Sequence, residues 1–199
     1  MFQRSNSSYS GGETRARGWR PVGGVLTAVA VATVLAGFAW TLGGHFVGDD
    51  FGYVGRFHPF PFARWPQLFI EGWAGDMWGI QVRELRPLTA LAFMVDALIW
   101  GEHAWGFRVT NLLLHATAAA LVGLLAWRVA QRDLACGLAA TLLFALHPVH
   151  AEPVQWITGR VDLLATVFYL GGFLLFLRYR MSGDIRLAVS YSISEPTRR

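Results

Sequence analysis

Two groups of ionisable residues in this 199-residue chain have the types and spacing for chemistry. The first is the adjacent pair Asp49-Asp50. Neighbouring carboxylates repel, and repulsion favours the protonated form of one of them. A carboxylate tuned in this way can take a proton from a hydroxyl, which is general-base work. A solvated loop start explains the same pair without any chemistry. The second group is His147, His150, Glu152, Arg160 and Asp162, set between two apolar runs. Ionisable groups at the edge of a membrane are costly and by default mark a site. The fork of Arg160 suits two phosphate oxygens. His147 and His150, three apart with Glu152 beside them, have the types of a metal site, although Pro148 breaks the helix that would align them. A hydrogen-bonded structural cluster is the rival reading. The sequence permits a divalent metal without requiring one, so both the cofactor and the metal ligands stay open.

Other polar residues are candidates of a lesser kind. Arg83, Glu84 and Arg86 precede Pro87-Leu88-Thr89. They either anchor at lipid headgroups or place Arg86 against a lipid phosphate. Asn111 and His115 are four apart and so share one helix face. Inside an apolar run they are either packing contacts between helices or contributors to the site. The single cysteine, Cys136, excludes an intramolecular disulfide and a cysteine metal site, and it reads as a small apolar side chain.

The elements that must position these residues are membrane spans. The chain is 54% hydrophobic and only 15% charged, against about 25% charged in a soluble domain; its mean hydropathy is +0.38. No charged residue occurs from Pro21 to Gly44, a stretch longer than the roughly 20 residues that cross the hydrocarbon core. Its length and its long polar leader mark an uncleaved anchor rather than a signal peptide. Further spans are expected at about 109–127, 134–149 and 163–177. The Leu88–Trp100 piece is apolar but too short to span and contains Asp96, so it reads as an interfacial helix. It belongs to a long first outer loop, about 43–105, rich in aromatics such as Trp65, Trp73 and Trp78, which suit the headgroup level.

All 17 basic residues are arginine, and the net charge is +4 with a pI near 9.8. The arginines gather at the ends of apolar runs, as orientation signals do, so nucleic acid is not expected as a partner. Residues 1–20 form a disordered basic tail, 21–180 the membrane domain and 181–199 a second tail. The segments before the first span and after the fourth, with the turn near 128–132, hold 11 of the 17 arginines, whereas the two outer loops hold nine of the 13 carboxylates and five of the six histidines. Both termini are therefore placed inside, and the acidic pair shares the outer face with the His147-to-Asp162 string.

The order of these motifs resembles a known family. It runs from the charge-free first span to Gly48-Asp49-Asp50, then Arg86-Pro87-Leu88-Thr89. Trp105-Gly106-Phe107-Arg108-Val109-Thr110-Asn111 and its continuation to His115 come next. The most specific string is His147-Pro148-Val149-His150-Ala151-Glu152-Pro153-Val154-Gln155-Trp156-Ile157-Thr158-Gly159-Arg160-Val161-Asp162. Over about residues 25–180 the chain resembles the N-terminal part of TMTC-type membrane proteins, which carry tetratricopeptide repeats after a GT-C glycosyltransferase region. The resemblance implies an all-α polytopic membrane protein with a partial GT-C-like fold, about four transmembrane helices and interfacial helices in the first outer loop. It also implies O-mannosyl-type transfer from a polyprenyl-phosphate sugar to a hydroxyl of a protein or glycan acceptor, with Asp49 or Asp50 as the catalytic base. Arg86, His147, His150, Glu152, Arg160 and Asp162 are the expected substrate- and phosphate-binding residues, Arg160 above all for the leaving phosphate.

GT-C enzymes have more spans than four, and no repeat of 20 to 50 residues is present. The chain is therefore expected to be a fragment, a truncated product or one part of a split enzyme completed by a downstream polypeptide. Two further readings stand beside the transferase. One is a non-catalytic membrane subunit of a larger assembly. The other is a small transporter or metal-handling protein built on His147, His150 and Glu152. The bacterial inner membrane is the expected location.

Overall fold

The computed structural model describes residues 19–58, 62–73, 79 and 84–182. Expectations for most of the two tails, and for Asp76, Trp78 and Arg83, lie outside these residues. Every described element is helical. Helix α1 covers Trp19–Phe38 and tightens into a 3-10 turn, Ala39–Gly43. Helix α2 is Asp50–Phe57, followed by a 3-10 segment, Phe62–Phe69, and helix α3, Pro87–Trp100. Helix α4 is Ala104–Val129 and α5 is Leu134–Leu146. A 3-10 turn Pro148–His150, a short α6 at Ala151–Gln155 and a second turn Ile157–Gly159 lead into α7, Arg160–Ser182.

Three segments are long and apolar enough to cross a membrane, Pro21–Gly43, Ala104–Val129 and Ile157–Arg180. The protein is thus a multi-pass, all-α membrane protein. The region expected as a continuous span at 134–149 is broken. Helix α5 stops at Leu146, and it passes the same test only together with Pro148–Gln155, across a bend of 50°. The reason is local. Pro148 disfavours helical backbone at the residue before it, and His147 is extended, with ψ 128. The expected start of the fourth span also moves, because α7 begins at Arg160.

Helix α4 is central, packing on α1, α5 and α7, and α1 also packs on α5. Lipid tails supply no hydrophobic drive between helices, so close approach at small residues takes its place. At the α4–α5 crossing a Cβ on Gly123 would stand 1.9 Å from Thr141 Oγ1 and 2.9 Å from the Gly137 carbonyl. Only glycine allows the two backbones this close. The Thr141 hydroxyl meanwhile donates to the Gly137 carbonyl at 2.9 Å, so it brings no unsatisfied group into the interface.

The aromatics of the first loop divide. Trp65 and Trp105 are exposed, but Tyr53, Phe57 and Trp73 are buried in a core with Phe93 and Phe107. Tyr53 stacks on Trp73 at 4.0 Å, and Phe93 lies 6.0–6.3 Å from the rings of Phe57, Tyr53, Phe107 and Trp73. Helix α3 presents Ala90, Phe93, Met94 and Ala97 to this core and leaves Leu88, Val95, Leu98 and Ile99 exposed. One apolar face of this helix is thus covered by protein and another is exposed.

Candidate active site

The 3-10 turn after α1 with the loop that follows it, the N-terminal turns of α4, and α6 with Trp156 line a cavity of about 920 Å³, within the size range of small-molecule sites. Its wall from α1 and the following loop includes Trp40, Gly44, His45 and Asp49; the facing wall includes Glu152, Gln155 and Trp156, with Arg108 from α4 between them.

The acidic pair is split by its own helix start. Asp49 is half-buried and on the cavity, and its Oδ1 accepts a hydrogen bond from the indole Nε1 of Trp156 at 3.1 Å. Asp50 opens α2 and is fully buried. Its Oδ2 accepts from the Val47 N–H at 3.1 Å, and its Oδ1 accepts from the Thr158 N–H at 3.1 Å and the Thr158 hydroxyl at 2.8 Å. Asp50 therefore ties the first loop to the turn before α7, while Asp49 stands on the cavity wall.

Burial pushes the Asp50 carboxyl above its ordinary value of 3.8. The bonds from Val47 and Thr158 oppose that shift, and the neighbouring Asp49 adds to it. A carboxyl whose folded value is raised contributes stability that is complete below 3.8 and is lost as pH rises through the folded value. Between neutrality and pH 3.8, acidification should therefore stabilise the native chain relative to Asp50→Asn, which cannot titrate. Unfolding midpoints of both chains across this range, in one detergent, measure the difference. A constant gap between them would refute a buried, titrating Asp50.

The other expected site residues are spread apart. Glu152 is exposed and lines the cavity. Arg160 does not reach it. Its guanidinium is fully buried, 2.6 Å from the Asp96 carboxylate, and donates to Asn111 Oδ1 and the Phe107 carbonyl at 3.0 Å each. Arg86 pairs with Glu84 at 2.5 Å and lies 5.0 Å over the Trp73 ring, away from the cavity lining. His147 caps the turn after it, its Nδ1 accepting from the Val149 N–H at 3.2 Å. His150 packs its ring 4.2 Å from Phe144 and 5.1 Å from His115. Asp162 is exposed on the first turn of α7, outside the cavity. Among the described residues no three His, Cys, Asp or Glu side chains gather as metal ligands.

Asn111 and His115 hold helices together. The Asn111 amide donates to the carbonyls of Trp156, Pro153 and Ile157 at 3.2–3.4 Å, and His115 Nε2 lies 3.1 Å from the Ala145 carbonyl. Arg108 is the cavity residue that motif reading passes over. It is buried, and its guanidinium donates to the carbonyls of Gln155 at 3.3 Å, Gly44 at 2.5 Å and His45. The available signal was an arginine within the first two turns of an apolar helix.

No protein-family model and no solved structure matches the chain. Curated proteins do. The chain is 43% identical over 129 residues to protein O-mannosyl-transferase Tmtc2 of Drosophila melanogaster, which covers 58% of this chain and 13% of that protein. It is 40% identical over 121 residues to mouse protein O-mannosyl-transferase TMTC4, covering 51% and 16%. With mouse protein O-mannosyl-transferase TMTC1 the identity is 32% over 188 residues, covering 87% and 19%. The chain thus spans less than a fifth of the length of these relatives. All three are animal proteins, which leaves the expected bacterial inner membrane without support.

Proposed function

Starting from a chain that is TMTC-like in sequence, we propose that this protein is a GT-C-type membrane glycosyltransferase module with Asp49 as its catalytic base. It moves a mannose-like sugar from a polyprenyl-phosphate donor to a hydroxyl of a protein or glycan acceptor. The observation that carries the reading is Asp49. Its carboxylate is fixed by the Trp156 indole at 3.1 Å, on the wall of a cavity at the end of the membrane helices.

In the reaction the acceptor oxygen attacks the sugar C1, and Asp49 takes the hydroxyl proton. The bond from C1 to the phosphate oxygen breaks, and the polyprenyl phosphate leaves with its electron pair. Positive charge grows at the sugar and negative charge on the phosphate as the bond lengthens. A carboxylate beside the sugar stabilises the first of these. The relatives' names support the sugar and the hydroxyl acceptor, since they are O-mannosyl-transferases.

Membranes expressing this chain should transfer label from radiolabelled polyprenyl-phosphate mannose to acceptor, above membranes without it. Equal transfer in both would overturn the reading.

A further inference from the structure

Among the described residues two arginines are buried at this end of the protein, one with a counter-ion and one without. Arg160 is paired with Asp96 at 2.6 Å. Arg108 is 3% exposed and has no carboxylate partner among the described residues; Asp50 acts on it only from longer range. Asp50 has already committed both oxygens to Val47 and Thr158. A buried cation without a paired anion is costly, and a structure that keeps one has a use for it. The three carbonyls that Arg108 meets orient its guanidinium but do not neutralise it. They also use three of its five N–H groups at most.

The guanidinium is built into the cavity wall by several features. Gly44 lacks the Cβ that would stand 3.1 Å from Arg108 Cζ and Nη2. Gln155, which takes its Nε–H, is adjacent to Trp156, which holds Asp49. One short stretch of chain therefore fixes both the base and the cation. Among the cavity-lining residues Arg108 is the one permanent cation, set against the carboxylates of Asp49 and Glu152.

We propose that Arg108 is the phosphate-binding residue of the cavity and holds the phosphate of a polyprenyl-linked ligand. This rests on the transferase reading for the identity of the lipid, but the binding is separable from transfer. A guanidinium placed there offers N–H groups to the phosphate as charge accumulates on it. The role expected of Arg160 from sequence thus passes to Arg108.

The test is binding of polyprenyl phosphate to the whole chain in nanodiscs, read by tryptophan fluorescence, since Trp40 and Trp156 line the cavity. Arg108→Gln should weaken binding about 10- to 100-fold, the range of a lost charge-assisted contact. Glu152→Gln, at an exposed residue of the cavity wall, should tighten it by about 2- to 5-fold by removing a like charge. Unchanged affinity in a folded Arg108→Gln chain would overturn the proposal. Should that variant fail to fold, unchanged or weaker binding by Glu152→Gln overturns it instead. Polyprenol binding as tightly as its phosphate also overturns it. Inorganic phosphate binding as tightly as the lipid phosphate overturns the lipid assignment. Arg108-dependent binding in a chain that transfers no sugar would leave this proposal standing and remove the transferase reading alone.

Discussion

Asp49→Asn is expected to lower sugar transfer by about 10²- to 10⁴-fold, the usual worth of a positioned general base, while leaving unfolding in detergent unchanged. The two halves of this result have separate causes. Asn retains an oxygen that can accept the Trp156 indole N–H, which lies 3.1 Å from Asp49 Oδ1. Asp49 is also half-buried at the cavity edge, so its replacement opens no void in the core. What is lost is the ability to accept a proton from the acceptor hydroxyl. Asp50→Asn removes the same formal charge with the opposite profile. Its Oδ2 accepts from the Val47 N–H and its Oδ1 from the backbone and side chain of Thr158. An amide placed there must turn an NH₂ group toward one of these donors, leaving a buried polar group unsatisfied at a cost of about 1–3 kcal/mol. Rates per folded molecule and unfolding midpoints, measured on both variants, decide the matter. Full transfer by Asp49→Asn would remove it as the base, and a stability loss as large as that of Asp50→Asn would show that the two carboxylates share one structural role.

That division was not legible in the sequence, although the pair itself was. Adjacent aspartates read alike until the start of α2 is known. Asp50, as the first helical residue, folds its carboxylate back to Val47, whereas Asp49 precedes the helix and faces the cavity. The spans were legible because a charge-free run of membrane length has few alternatives, as at Pro21–Gly43. The break after Leu146 was foreshadowed by His147-Pro148, yet hydropathy alone carried the expected span through it. Arginine roles were the least legible. Whether a buried cation is structural or available depends on where its counter-ion sits. The partner of Arg160 is Asp96, far away in the chain on a helix read as interfacial. No spacing rule connects them. Arg108 was hidden for the converse reason, since its partners are backbone carbonyls, which every residue has.

The Asp96–Arg160 pair should be the most destructive place to change one residue. Arg160→Met is expected to cost about 3–5 kcal/mol, because it strands the Asp96 carboxylate in the interior. Asp96 is 4% exposed, and besides Arg160 it has the Thr110 hydroxyl at 2.8 Å as a partner. Burial raises the Asp96 carboxyl, and Arg160 draws it back down. Without the arginine the opposing influence is gone, so the carboxyl favours its neutral form still more strongly. The penalty in Arg160→Met should therefore shrink as pH falls toward the ordinary 3.8, where a neutral Asp96 no longer needs a cation. Arg160→Met with Asp96→Leu removes both charges and should be more stable than Arg160→Met alone, a coupling that a double-mutant cycle in mixed micelles reads directly. Additive losses would show that the pair is incidental to packing. The effect should also reach the cavity. Arg160 begins α7 directly after the Ile157–Gly159 turn, and Thr158 of that turn holds Asp50. Asp50 in turn fixes the start of α2 beside Asp49. Loosening Arg160 thus releases the turn, then Asp50 and then the base, so Arg160→Met should lose transfer at temperatures where most of the chain is still folded.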